Sequence, residues 1–203
     1  MRSSLARAAE TLKRGEDQGW ITPRPRVSAA PWTVAVLLTG VSITAQGLTR
    51  DEALAAVYPG AQIRAEQVFL TPSQQKQVLT RAAVDVPSAL VARYIATKDG
   101  KVVGRAYVDT HTVRTKRESL LISLDDGGQV LRVDVTAFLE PAEYRASDAW
   151  LRQYRDRRLD DDLGINRAIR PIAGATLTAR AANNAVRRVL ATDEVLEKRG
   201  SAQ

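Results

Sequence analysis

Residues 89–110 read ALVARYIAT-KDGK-VVGRAYVDT, two apolar runs joined by a short polar link. The runs are built on strand-favouring apolar residues, among them Val, Ile, Leu and Tyr, and the link contains Asp99-Gly100. An Asp-Gly pair between such runs is the strongest short-range signal for a β-hairpin, because both residues tolerate the positive φ that the turn requires. We therefore expect antiparallel strands at residues 89–97 and 102–110.

A second pair of apolar runs follows, at residues 119–124 and 130–138, and Asp125-Asp-Gly-Gly128 joins them. Together the two hairpins predict a four-stranded antiparallel meander. The connection between them, His111–Glu118, is polar and basic, and a solvated loop is the ordinary interpretation of such a charge cluster. The basic residues in it are Arg114, Lys116 and Arg117.

Helix signals lie on both sides of the meander. Thr49-Arg-Asp-Glu52 and Thr71-Pro-Ser-Gln74 have the spacing of capping boxes, and the second of these helices is expected to end near Ala82. Ser147-Asp148 predicts a short helix that carries Trp150, Leu151 and Tyr154. The last helix is expected over Leu177–Thr192, where apolar residues recur at helical spacing.

The predicted fold class is therefore α+β, an antiparallel β-meander packed with helices. Residues 46–88 are expected to form an N-terminal helical part and residues 89–192 the main domain. Residues 193–203 are expected to be a frayed polar tail.

The amino-acid composition excludes several kinds of metal and cofactor site, but it says less about the fold. The 203 residues include no cysteine and one histidine, so disulfides, thiolate zinc sites, iron–sulfur clusters and covalent c-type haem are excluded. The 30 basic and 23 acidic residues give a net charge of +7. That balance alone would suggest nucleic acid, but the basic residues are dispersed and few aromatic residues lie among them. We expect no nucleic-acid partner.

The N-terminal segment combines a basic flank, in residues 1–26, with an uncharged stretch from Val27 to Thr49. Its apolar centre is residues 34–43, followed by small residues that end at Ala45. This order is typical of a secretory signal peptide, and a start codon assigned too far upstream would account for the long flank. Alternatives are a membrane anchor, weakened by Pro31 and Gly40, and a buried core helix. A signal peptide or a membrane anchor would place the domain outside the cytoplasm.

Ile169-Arg-Pro-Ile-Ala-Gly-Ala-Thr-Leu-Thr178 leads from a loop into the last helix. Gly174 and Ala175 leave the backbone uncovered, and Thr176 and Thr178 place hydroxyls at the helix N-terminus. Free amides and the positive end of the helix dipole favour an anion such as phosphate there. An ordinary threonine cap after a glycine loop is the alternative.

The segment Gly174-Ala-Thr-Leu-Thr178 resembles the Ser-Gly-Ala-Thr-x-Thr signature of the FMN-binding domain family. That domain occurs in the G subunit of the Rnf complex and the C subunit of the sodium-pumping NADH:quinone reductase. The resemblance covers roughly Ala89–Ala191. It implies that a flavin transferase joins FMN, through its phosphate, to Thr176, with Gly174, Ala175, Leu177 and Thr178 as the rest of the motif.

Two positions depart from the family pattern. Ala173 stands where the family has serine, and Arg170 stands where it has the aspartate that belongs to the pattern the transferase reads. Arg170 is instead a candidate contact for the phosphate or for the reduced flavin. The chain also lacks the second half-domain and membrane partners of the pump subunits, so ion pumping is not implied.

Other chemistry-bearing residues are open to two interpretations. Five aromatic residues are candidate faces for the flavin ring, although ordinary core positions are the alternative: Tyr107, Phe138, Tyr144, Trp150 and Tyr154. His111 is either a hydrogen-bond partner of a flavin edge or a surface-loop histidine. Asp160-Asp-Asp162 has the spacing of no cation-binding loop, and we expect a solvated turn.

The resemblance implies an extracytoplasmic FMN-binding electron carrier rather than a stand-alone enzyme, periplasmic or on the outer face of the membrane. Its expected partners are a flavin transferase for maturation and a membrane redox complex for electron exchange. The alternative is an exported module without cofactor that uses its basic loop to hold an acidic partner or a membrane surface.

Overall fold

The structure is a computed structural model that describes residues 49–200, with the side chains of residues 49–197. The segment expected to be a signal peptide or anchor, residues 1–45, lies outside the described residues. In chain order the elements are α1 (Arg50–Val57), β1 (Gln62–Phe69), α2 (Pro72–Ala82), β2 (Leu90–Lys98), β3 (Lys101–Thr112), β4 (Arg117–Asp125), β5 (Val130–Phe138), α3 (Asp148–Leu151) and α4 (Thr176–Gly200).

The sheet is an antiparallel meander, which confirms the α+β class, but it has five strands in the order β1-β2-β3-β4-β5. The additional strand, β1, pairs with β2 from Gln62 opposite Thr97 to Phe69 opposite Leu90. Residues 46–88 are therefore not purely helical. The sequence QIRAEQVF gave no clear strand signal because β1 is an edge strand, where charged side chains are common.

Both hairpin turns lie where the Asp-Gly pairs predicted them. Asp99 and Gly100 have φ of 51° and 75°, the left-handed conformation that a tight two-residue hairpin turn requires. In the second turn Gly128 has φ of 78°. The connection between the hairpins is shorter than expected, because β3 continues to Thr112 and β4 begins at Arg117. Residues 113–116 form the loop.

The predicted caps are present. Thr49 and Thr71 each accept a hydrogen bond from the backbone N–H three residues later, and Glu52 and Gln74 complete the two capping boxes. Ser147 caps α3 by accepting from the N–H of Trp150. These local hydrogen bonds fix where each helix begins.

The two faces of the sheet carry different helices. On one face, α1 contributes Ala53, Leu54 and Tyr58 to a small core. The Tyr58 hydroxyl lies 2.8 Å from the carbonyl oxygens of Arg105 and Leu124. A Cβ at Gly104 would overlap the Tyr58 ring, so this strand position requires glycine. The main core and α4 lie on the other face.

Helix α4 runs past the expected end at Thr192 to Gly200, so residues 193–200 of the expected tail are helical. The reason is a small core shared with α2. Ala191 and Val195, one turn apart on α4, are buried against Val78 and Ala82. The polar residues between them concealed this apolar pair in the sequence.

Candidate functional site

The Gly174–Thr178 segment forms the turn into α4, as the sequence predicted. Gly174 has φ of 76°, and the N–H of Ala175 donates to the carbonyl of Ile172 at 3.2 Å. The first helical turn closes when the N–H of Ala179 donates to the carbonyl of Ala175 at 3.1 Å. The amides at the start of a helix have no partner within the helix, so the segment presents backbone donors at the positive end of the dipole.

A cavity of about 230 Å³ lies in front of this helix end. It joins the motif to the loop between β3 and β4, a combination that the sequence did not indicate. The residues that line it are Val113, Arg114, Glu140, Tyr144, Gly174, Ala175, Thr176, Leu177 and Thr178. Ala173 and Arg170, the remaining two predicted site residues, do not line it.

The two threonines of the motif have different environments. Thr176 is exposed, whereas Thr178 is 1% exposed. Leu177, between them, is 49% exposed. Thr176 is therefore accessible from solvent, whereas Thr178 is held against the core of the domain.

Glu140 fixes the loop on the far side of the cavity. Its Oε1 accepts hydrogen bonds from the backbone N–H of Thr115 at 2.7 Å, of Lys116 at 2.8 Å and of Arg114 at 3.2 Å. The bonds from Thr115 and Lys116 are the main reason that the pKa of Glu140 lies below its ordinary value. The loop is therefore a turn closed around a carboxylate. Its two basic side chains, Arg114 and Lys116, are exposed, as is Arg117 at the start of β4.

Arg170 is exposed and is held through its backbone. Its N–H donates to Oε1 of Gln153 at 2.9 Å, and its carbonyl accepts from Nε1 of Trp150 at 2.7 Å. The segment around α3 thus positions the loop that leads to the motif. Trp150 therefore donates a hydrogen bond to the loop that contains Arg170.

Four of the five candidate aromatic residues belong to the core. Tyr154 is fully buried, meets Trp150 edge-to-face at 5.6 Å and donates from its hydroxyl to Asn183 at 3.2 Å. Tyr107 is 1% exposed, and Phe138 and Trp150 pack against the main core. Tyr144, 36% exposed, is the candidate that lines the cavity.

His111 is not a surface-loop residue. It lies in β3 with a side chain 9% exposed, between Asp109 Oδ1 at 2.9 Å from Nδ1 and Glu118 Oε2 at 3.1 Å from Nε2. Burial alone would lower the pKa of His111, but the bonds to Asp109 and Glu118 outweigh it and raise the pKa to about 9. The protonated ring then donates to both carboxylates.

This histidine belongs to a row of buried charges between β3 and α4 that the sequence did not reveal. Arg188 donates to both carboxylate oxygens of Asp109, at 2.7 and 3.0 Å. One turn further along α4, Asp193 accepts from Arg105 at 2.5 Å and from the Tyr107 hydroxyl at 2.7 Å. The signal available in the sequence was the alternation of Arg105, Tyr107, Asp109 and His111 on one face of a strand.

Within residues 49–197, no group of three or more His, Asp or Glu side chains is arranged to hold a metal ion. Asp160, Asp161 and Asp162 are exposed in a loop. The same part of the chain contains no helix long and apolar enough to span a membrane. In comparison with known proteins, no family model, curated protein or solved structure matches the chain.

Proposed function

We propose that the protein binds FMN at the N-terminus of α4, with the flavin phosphate at Thr176, and that it acts as an electron carrier. The observation that carries this proposal is the cavity of about 230 Å³ whose lining contains both an exposed Thr176, at a helix N-terminus, and Arg114. The motif and the basic loop were alternative sites in the sequence, and they line one cavity in the structure.

The donors at this cavity suit a phosphate group. The first residues of α4 line the cavity, so their free amides and the positive end of the helix dipole lie beside it. Arg114 adds a full positive charge to the lining. Among the lining residues that the structure describes, Glu140 is the one acidic residue, and three backbone N–H groups already compensate its Oε1. The site therefore combines anion-binding backbone with a guanidinium.

The rim of the cavity suits a flavin ring. Leu177 is 49% exposed and Tyr144 is 36% exposed, so an aliphatic and an aromatic face are available beside the phosphate position. Flavin rings pack on faces of this kind. When bound, FMN would supply one- or two-electron transfer. The residues of this chain would hold its phosphate and cover part of its ring.

The remaining parts of the proposal rest on the sequence. The N-terminal segment supports export, and the resemblance of the motif supports a phosphoester between FMN and Thr176 made by a flavin transferase. A membrane redox complex is then the partner that would exchange electrons with the protein.

Co-expression with a flavin transferase, followed by intact-mass measurement, tests the proposal. A phosphoester-linked FMN adds about 440 Da to the wild-type protein, and Thr176→Val should abolish the addition. Thr115→Val is the matched control, because it removes an exposed hydroxyl from the facing loop and should keep the added mass. If the wild-type protein gains no mass, covalent attachment is contradicted. If it also shows no flavin absorbance, FMN binding is contradicted.

A second candidate is an exported module that binds an acidic partner or membrane surface through the basic loop. It is favoured by the exposure of Arg114 and Lys116, on a turn held by Glu140, and of Arg117 beside that turn at the start of β4. Binding to anionic vesicles that weakens steeply with salt and survives Thr176→Val would support this function over the first.

A further inference from the structure

The larger cavity of the domain lies where the sheet opens between β2 and β3. The β2–β3 ladder ends with Ala92 opposite Val108, although β3 continues to Thr112. The first residues of β2, Leu90 and Val91, pair with β1 instead. The two strands therefore diverge, and a cavity of about 690 Å³ lies at the split.

One wall of this cavity is apolar. It consists of Leu70, Val86, Pro87, Leu90, Val91 and Val189. Leu90 is 44% exposed there, so an apolar surface remains open to solvent. Burial of such a surface by a ligand is favourable by roughly 25 cal/mol per Å². The wall is suited to the apolar body of a small molecule.

The opposite side is polar, and its buried charges already have partners. Asp109 is held by Arg188 and His111, and the Tyr107 hydroxyl is held by Asp193. Arg117 also lines the cavity and is exposed, which makes it a solvent-accessible cation of the lining. Among the lining residues that the structure describes, Asp109 is the one acidic residue, so positive charge predominates there.

The exposed edge of β3 adds hydrogen-bonding groups. In an antiparallel sheet each inner strand alternates its N–H and C=O groups between its two neighbours. Beyond Val108 the groups that point away from β4 no longer meet β2. They face the split, where a polar ligand group can pair with them.

We propose that this cavity binds a small molecule with an apolar body and one anionic head, such as a carboxylate or sulfonate, with the head at Arg117 and the body along Leu90. Its volume is in the usual range for small-molecule sites, roughly 300–1,000 Å³. The site shares no lining residue with the cavity at Thr176. It is independent of the proposed FMN function.

Titration with 8-anilinonaphthalene-1-sulfonate, which joins an aromatic body to a sulfonate, tests this site by fluorescence. We expect saturable binding of one molecule, displaced by decanoate. Arg117→Gln should weaken it about tenfold because a charge-assisted hydrogen bond is lost, and Leu90→Asp should weaken it further. Both side chains are exposed, and circular dichroism verifies that the variants fold.

Arg114→Gln is the matched control, because Arg114 lies in the same loop but lines the other cavity. It and Thr176→Val should leave the affinity unchanged, so failure of FMN binding does not affect this test. The proposal is overturned by absence of saturable binding, by equal weakening in Arg114→Gln and Arg117→Gln, or by loss of binding in Thr176→Val.

Discussion

The polar groups at the two ends of α4 differ in their burial and in their partners. Toward the C-terminus, Asp193 is 3% exposed and binds Arg105 and the Tyr107 hydroxyl, so its charge is enclosed and paired. At the N-terminus, Thr176 is exposed and the first residues of the helix line a cavity. Paired buried charges hold the helix on the sheet, and unpaired backbone donors are free for a ligand.

The largest expected effect is at the enclosed end. Asp193→Ala removes the carboxylate that satisfies Arg105 and Tyr107, and it leaves a buried guanidinium without its main partner. Loss of one member of a buried pair costs about 3–5 kcal/mol of unfolding free energy. Urea denaturation followed by circular dichroism measures it.

Glu194→Ala is the matched control for Asp193→Ala. Glu194 is the next residue of the same helix, but its ion pair with Arg81 is about one-third exposed on both sides. An exposed pair of this kind contributes at most about 1 kcal/mol. If both variants lose the same unfolding free energy, the distinction between buried and exposed ion pairs is contradicted.

The middle of the helix interface should depend on pH through His111. Its pKa is 6.5 in the unfolded chain and about 9 in the folded protein. The stabilisation is therefore complete below pH 6.5 and is lost as the pH rises through 9. A pKa shift of this size corresponds to about 3 kcal/mol of unfolding free energy.

His111→Gln tests this dependence, because glutamine does not titrate. Denaturation at pH 6, 7.5 and 9.5 should show a decline for the wild type and a nearly constant free energy for the variant. If the variant retains the wild-type slope between pH 6.5 and 9, another group is responsible.

The smallest effect is expected at the open end. Gly174→Ala places a Cβ in free space, since no heavy atom of the described residues beyond its two chain neighbours lies within 4 Å, but φ is 76° there. The left-handed conformation costs an alanine about 1 kcal/mol, measured as a lower thermal midpoint. Gly100→Ala, with φ of 75° and the same free space, is the comparison and should cost as much. If Gly174→Ala lowers the thermal midpoint much more than Gly100→Ala does, the N-terminal end of α4 is packed rather than open.

Part of the site could be predicted because its causes are local. The placement of Thr176 at a helix N-terminus follows from Gly174 and the helical spacing after it. The neighbourhood of that helix end could not be predicted, since Arg114 and Glu140 reach the cavity through the β3–β4 loop and the residues after β5. Likewise, the ladder register that places Glu118 opposite His111 is needed to recognise the buried cluster.

The amino-acid sequence was enough for the hairpins, the helix caps and the α+β class, because Asp-Gly turns and capping boxes involve residues within a few positions of each other. The strand β1, the continuation of α4 to Gly200, the row of buried charges and both cavities required the folded chain. Each depends on partners far apart in sequence: β1 on β2, Val195 on α2, and Asp193 on Arg105. Polar residues in these segments give no strong periodic signal, and long-range packing determines their place.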